Sequence, residues 1–236
     1  MIMSTIDQNL QAIAATIVAA AAEARRAPDA VRLLAVSKTF GPEAVLEAMR
    51  AGQRAFGENY LQEALDKIAA VAAAAPGTPV EWHFIGPIQS NKTRPIAEHF
   101  DWVHTVERQK IAQRLSEQRP AGMAPLNICL QVNISGEASK SGVAPADLAA
   151  LAQAVANLPN LKLRGLMAIP EPAEDYAQQR APFAQLRGLY DQLRADGLAL
   201  DTLSMGMSAD LRAAVVEGAT IVRVGSAIFG SRSYAK

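Results

Sequence analysis

Eight short apolar runs, separated by longer segments with helical repeat, constrain this chain more than any other feature. The runs are Val31–Lys38, Arg54–Gly57, Val80–Ile85, Asp101–Val106, Leu126–Asn133, Leu161–Ala168, Leu200–Met205 and Thr220–Gly225. Between them, Glu58–Ala74 is rich in Ala, Leu and Glu. Tyr176–Ala195 carries Phe183, Leu186, Tyr190 and Leu193 on one helical face, and Asp210–Glu217 is entered through a Ser-Ala-Asp cap. Ahead of the first run, Ile6, Leu10, Ile13 and Ile17 mark one face of an extra helix. Strict strand–helix alternation predicts a parallel sheet covered on both faces. Eight repeats after one extra helix fit a closed β/α barrel better than an open sheet. A doubly wound open sheet would prefer a glycine-rich dinucleotide turn after its first strand. Here the first run leads into Ser37-Lys38-Thr39-Phe40-Gly41-Pro42 instead. No compositional shift or long linker divides the chain, so residues 1–236 are expected to form a single domain.

Half of the 236 residues are hydrophobic, enough for a substantial core. Basic and acidic residues balance at 23 each, so no global field favours nucleic acid or an anionic membrane. The one cysteine, Cys129, lies in an apolar run and reads as a small buried hydrophobe rather than a nucleophile. The Ala-rich stretch Ala12–Ala22 is too short to span a bilayer and runs into Glu23, Arg25 and Arg26. These features predict a soluble protein of the cytoplasm.

In a β/α barrel, function sits at the C-terminal ends of the strands. Alternation puts Leu34, Val36 and Lys38 on one face of the first run. If Leu34 and Val36 fill the barrel, Lys38 points into its mouth. Partial desolvation lowers an amine's pKa and frees it to attack an aldehyde. The plainer alternative is a lysine that reaches out to solvent. Arg223, in an otherwise apolar run, needs a partner: either a structural carboxylate or a ligand's ring nitrogen or anion. Gly225-Ser226 offers close backbone approach to an anion, and Ser204 and Ser208 bracket the Met-Gly-Met turn, Ser208 at the start of a helix. Plain caps and turns explain each serine separately. Their occurrence on adjacent strands matches the phosphate position common in barrels. Asn59 either hydrogen-bonds a ring substituent or caps a helix. His83 reads as a satisfied core histidine, and His83, His99 and His104 lack metal-ligand spacing. Ser135–Gly142 is a candidate closing loop, with a solvated loop as the simpler account.

The stretches Leu33–Lys38, Phe56–Tyr60, Trp82–Gly86, Gln89–Lys92, Val132–Gly142, Gly165–Ile169, Leu203–Ser208 and Val222–Gly230 together resemble the pyridoxal phosphate homeostasis protein family. That family's barrel is similar to the N-terminal domain of alanine racemase. The resemblance implies a single (β/α)8 TIM barrel, alanine racemase N-terminal-domain-like, with an extra N-terminal helix. It implies pyridoxal 5′-phosphate as cofactor, held as a covalent Schiff base on Lys38. Asn59 would lie beside the ring and Arg223 would face the pyridine nitrogen. Ser208, Gly225 and Ser226 would hold the phosphate, with Ser204 as a further candidate. Ser226 stands where many relatives have Thr, and both carry a hydroxyl. Alanine racemase has a second, β-rich domain that supplies a catalytic tyrosine; no tyrosine here matches it, and Tyr234 lies in the tail. The family is regarded as a carrier and regulator of vitamin B6.

That role fits the chemistry, because a cation at the ring nitrogen opposes its protonation and weakens the ring as an electron sink. The expectation is therefore a non-catalytic monomer whose candidate protein partners are apo pyridoxal-phosphate-dependent enzymes. The competing readings are a racemase acting from the barrel alone and a Schiff-base aldolase without cofactor.

Overall fold

The computed structural model describes residues 4–136 and 141–230. Among these residues, β1 (Arg32–Val36), β2 (Ala55–Glu58), β3 (Glu81–Phe84), β4 (Trp102–Val106), β5 (Leu126–Gln131), β6 (Leu161–Met167), β7 (Thr202–Ser204) and β8 (Ile221–Val224) close into a barrel in sequence order. Every pairing is parallel, and β8 returns to β1 with Leu34 opposite Arg223 and Ala35 opposite Val224. This is the (β/α)8 barrel that the alternation predicts. No helix among the described residues is long and apolar enough to cross a membrane.

The extra helix α1 (Thr5–Glu23) is capped by Ser4, whose hydroxyl accepts from the Asp7 amide at 3.2 Å. It buries Leu10, Ile17, Ala20 and Ala21 and packs on α8 (Leu211–Val216) and α9 (Ser226–Phe229). Asn9 Nδ2 donates to the Ile228 carbonyl at 2.8 Å, tying α1 to the short helix that follows β8. The predicted strand and helix ends shift slightly. β1 stops at Val36; Ser37 keeps one ladder bond to the Gly57 carbonyl, and the chain then turns at Thr39 with a left-handed φ of 69°. The helix after β2 is α3 (Leu61–Ala74), because β2 runs on to Glu58. Helix α8 begins at Leu211, so Ser208 lies in the turn ahead of it rather than at its start.

Two layers of side chains fill the structure. Outward-facing residues such as Ala35, Phe56, Trp82, Phe84 and Val103 pack under the helices. Inside the barrel, Leu34, Val36, Ala55, Ile85, Trp102, Cys129, Met167 and Ile221 form a separate apolar cluster. Burial pushes the Cys129 thiol up to about 12, which leaves it inert at neutral pH. The interior also contains two histidines. His83 Nδ1 lies 2.8 Å from His104 Nε2, and His83 Nε2 lies 2.7 Å from Glu81 Oε1. The His83 ring stacks on Trp102 with centroids 5.3 Å apart. Burial lowers the pKa of His83 and carries that of His104 well below the usual value, so both rings are neutral.

That neutrality makes the fold acid-sensitive. In the unfolded chain each ring takes up a proton near pH 6.5, while the folded rings resist it. Below that pH the unfolded state binds more protons, so stability falls as pH falls. Urea denaturation at stepped pH should show a loss approaching about 1.4 kcal/mol per pH unit for each ring that stays neutral. A protein carrying His83→Gln and His104→Gln should show a flatter profile over the same range.

Candidate functional site

A cavity of about 330 Å³ opens at the C-terminal ends of the strands. Its lining includes Val36, Lys38 and Phe40 after β1, Asn59 after β2, Ile85 after β3 and Ile169 after β6. Met207, Ser208 and Ala209 line it after β7, and Arg223, Gly225, Ser226 and Gly230 come from β8 and beyond. Lys38, Asn59, Ser208, Arg223, Gly225 and Ser226, singled out from the sequence, thus meet at one pocket. Residues 137–140 of the Ser135–Gly142 loop, and Tyr234, lie outside the described residues.

Each side chain is set by its backbone. Two turns need glycine. A Cβ at Gly86 would come within 2.1 Å of the Asn59 carbonyl oxygen, so only glycine lets the end of β3 support Asn59. Gly206 has a φ of +95°, and a Cβ there would meet Ala214 Cβ at 2.5 Å, which fixes the Met-Gly-Met turn leading to Ser208. Asp210 Oδ1 accepts from the Met207 amide at 2.6 Å and closes the same turn. Ser226 opens α9; the Ile228 and Phe229 amides donate to the Gly225 carbonyl, and the Ser226 and Ala227 amides have no acceptor within the helix. The Ser208 and Ser226 side chains are exposed on the pocket wall. Asn59 Oδ1 is buried without a hydrogen-bond partner.

Arg223 is buried, and loss of solvation brings its guanidinium down to about 10. Among the described residues no carboxylate pairs with it, so it is not the structural ion pair that its strand context allows. Its Nη1 donates to Ser204 Oγ at 2.7 Å and its Nη2 to the Ala168 carbonyl at 3.0 Å. A guanidinium has five N–H donors, so this fork retains donors for the pocket.

Residues 8–233 match the family model described as alanine racemase, N-terminal domain. The pyridoxal phosphate homeostasis protein of Pseudomonas aeruginosa is 66% identical over 232 residues, covering 98% of each chain. The chain belongs to the pyridoxal phosphate homeostasis protein family. PipY of Synechococcus elongatus, solved with PLP bound, superposes with a TM-score of 0.78 at 40% identity, covering 91% of this chain and all of PipY. Alanine racemase from Corynebacterium glutamicum shares the fold, with a TM-score of 0.73 at 16% identity over 97% of this chain and 61% of the racemase.

In this homeostasis-family barrel, Ser204 departs from the expectation of a phosphate ligand. It is fully buried below the pocket, and its hydroxyl is engaged by Arg223 and by His104 Nδ1 at 2.7 Å. Ser204 is the last residue of β7, but its hydroxyl is engaged by Arg223 on β8 and His104 on β4, which the sequence does not reveal.

A second network supports the turn that carries Lys38. Ser37 Oγ donates to Glu58 Oε1 at 2.6 Å. Lys67 Nζ, on the buried face of α3, donates to Glu58 Oε1 at 2.6 Å, to the Ser37 carbonyl at 2.8 Å and to Glu63 Oε1 at 3.0 Å. Glu63 Oε1 in turn accepts from the Thr39 amide at 2.6 Å. Both neighbours of Lys38 are therefore clamped, and the left-handed Thr39 is held by a charged acceptor. Burial pushes the Glu58 carboxyl up, and the Lys67 ammonium pulls against it. The sequence did carry a signal: Lys67 falls between Ala64 and Val71 in the helix's apolar stripe.

Replacing Lys67 by Met should leave a buried carboxylate without its cation and cost about 3–5 kcal/mol in urea denaturation. Adding Glu58→Gln should restore much of the loss. Amide exchange at Ser37–Thr39 should quicken in the single variant and recover less fully in the double one, because Lys67 also held the Ser37 carbonyl.

Proposed function

We propose that this chain binds pyridoxal 5′-phosphate as a Schiff base on Lys38. It carries and regulates the intracellular vitamin B6 pool as a cytoplasmic monomer, without robust catalytic activity of its own. Apo forms of pyridoxal-phosphate-dependent enzymes are its candidate recipients. Residues 1–236 act as one cofactor-binding domain in this reading. The observation that carries it is the meeting of Lys38 with a buried Arg223 that has no carboxylate partner among the described residues. The binding named for PipY and the name shared by the Pseudomonas aeruginosa relative support it.

The residues fit the cofactor. Lys38 offers a primary amine to an aldehyde. Asn59 Oδ1 lacks a partner and can accept from a ring hydroxyl. Ser208, Gly225 and Ser226 offer hydroxyls and first-turn amides to a dianion. Arg223 donates to the ring nitrogen. When bound, the cofactor supplies an aldehyde for amines and an electron-withdrawing ring whose strength rises when its nitrogen is protonated. Arg223 opposes that protonation by charge repulsion. A racemase needs a proton-transfer group on each face of its substrate. Among the described lining residues, Lys38 is the one side chain suited to that task.

Protein at its monomer mass of 25.1 kDa should turn yellow on adding pyridoxal phosphate. Borohydride should then fix the cofactor on Lys38 in peptide mass spectra, and Lys38→Ala should lose the band. A wild-type protein that stays colourless with added cofactor would falsify the proposal.

The second test concerns Arg223. Wild-type protein should exchange the α-proton of alanine in deuterated water far below enzymatic turnover. Arg223→Glu should raise exchange about tenfold or more per bound cofactor, since a carboxylate stabilises the protonated ring. Affinity should fall by about 1–3 kcal/mol for the buried hydrogen bonds lost, so occupancy is measured for both proteins. Turnover-level exchange by the wild type would favour the racemase reading. Unchanged exchange in a loaded Arg223→Glu protein would remove the physical basis for a carrier.

A further inference from the structure

The hydrogen bonds beneath the pocket join into one line through the barrel. It runs from Arg223 Nη1 to Ser204 Oγ at 2.7 Å and on to His104 Nδ1 at 2.7 Å. From His104 Nε2 it passes to His83 Nδ1 at 2.8 Å, and from His83 Nε2 to Glu81 Oε1 at 2.7 Å. Arg32 Nη2 donates to the same Glu81 oxygen at 2.6 Å. Glu81 and Arg32 open β3 and β1, so the line ends at the rim opposite the pocket.

The two ends dictate the direction of every link. A guanidinium donates and cannot accept; an ionised carboxylate accepts and cannot donate. Ser204 Oγ must therefore accept from Arg223 and turn its own hydrogen to His104 Nδ1. That leaves the proton of neutral His104 on Nε2, facing His83 Nδ1, and the proton of His83 on Nε2, facing Glu81. Hydrogen bonds from His83 and Arg32 overcome the effect of burial and hold Glu81 at about 2, so the acceptor end is ionised. Burial keeps both rings neutral. With both rings neutral, no link can be reversed without making Arg223 an acceptor or Glu81 a donor. The line thus orients groups and does not conduct protons to the pocket. Bonds aligned in this way polarise one another in a low-dielectric interior.

We infer that Ser204 and His104 are positioning residues: anchored on Glu81, the one-way chain holds Arg223 as a fixed donor toward the pyridine nitrogen of bound pyridoxal phosphate. This assignment rests on the function proposed above. It also accounts for the lack of a bonded carboxylate at the guanidinium among the described residues, where Asp210 acts only through space. A carboxylate beside Arg223 would occupy its donors, whereas a carboxylate at the far rim leaves them directed at the ligand.

The test has one arm that needs no cofactor. Nitrogen-15 NMR of the unloaded protein should show His83 and His104 neutral with their protons on Nε2. It should show Arg223 Nη signals resolved in the wild type and in Ser204→Thr, and averaged by free rotation in Ser204→Ala. His104→Gln serves as a second break in the chain if Ser204→Ala fails to fold. In the other arm, Ser204→Ala should weaken pyridoxal phosphate binding about tenfold, equivalent to about 1.4 kcal/mol. The same change in an Arg223→Leu background should have no further effect. A proton on His104 Nδ1 overturns the chain. Equal losses in both backgrounds overturn it too, because Ser204 would then act on the ligand without Arg223. If no variant or wild-type protein takes up pyridoxal phosphate, the proposed function fails, and the NMR arm alone upholds or overturns the chain.

Discussion

A guanidinium buried inside a closed barrel, with no carboxylate bonded to it among the described residues, is the constraint on which the rest of this structure turns. Removing such a charge from water is costly unless its donors are satisfied. Arg223 satisfies two of them internally, on Ser204 Oγ and the Ala168 carbonyl. Those acceptors are neutral, and the Asp210 carboxylate acts on the charge without bonding it. Arg223 lines the cavity, where a bound ligand could accept from its remaining donors. The surrounding sheet has to be rigid for this to hold, and the barrel provides that by leaving no strand edge unpaired.

Two buried networks then divide the work of holding the site. One lies outside the barrel wall, where Lys67 on α3 joins Glu58 and Glu63 and clamps the residues on either side of Lys38. The other runs through the interior and fixes Arg223. They differ in kind. The first is an ion cluster in which a cation and its carboxylates touch, which makes it sensitive to loss of either partner. The second separates opposite charges by two neutral rings and a hydroxyl, so its end links are charge-assisted and its inner links are neutral hydrogen bonds whose worth depends on alignment. Lys38 sits on a turn that strand pairing alone does not hold, and it receives the stronger restraint. Arg223 sits within a strand and needs only its head oriented.

How far the sequence reveals this depends on how local each feature is. The eight strands and the long helices were legible because burial imposes a period that each segment carries within itself. Lys38, Arg223 and the Gly225-Ser226 turn were legible because a polar residue at the end of an apolar strand stands out against its neighbours. Ser204 was misread because its partner His104 is a hundred positions away, and a hydroxyl's direction follows from what lies across the barrel. His83 was correctly read as a satisfied core histidine, yet its partners Glu81 and His104 emerge only when β3 and β4 are placed side by side. Strand ends slipped by a residue or two for the same reason: ladder bonds, not hydrophobicity, decide where a strand stops.

On the proposed function, the same arginine that would help the pocket hold pyridoxal phosphate would also limit what the bound ring can do. A positive charge fixed at the ring nitrogen favours the neutral pyridine, and it adds to the field that draws a phosphate dianion into the cavity. Electron withdrawal needs the opposite condition, a protonated ring stabilised by negative charge. The far-end placement of Glu81 resolves this conflict in favour of holding. Glu81 anchors the acceptor end of the chain at the rim opposite the pocket, while Asp210 acts on Arg223 through space without bonding it. Moving the negative charge up the barrel would relieve the arginine and strengthen the ring as an electron sink, at the expense of the donors that orient the ligand. On that reading, binding and catalysis are opposed through one side chain.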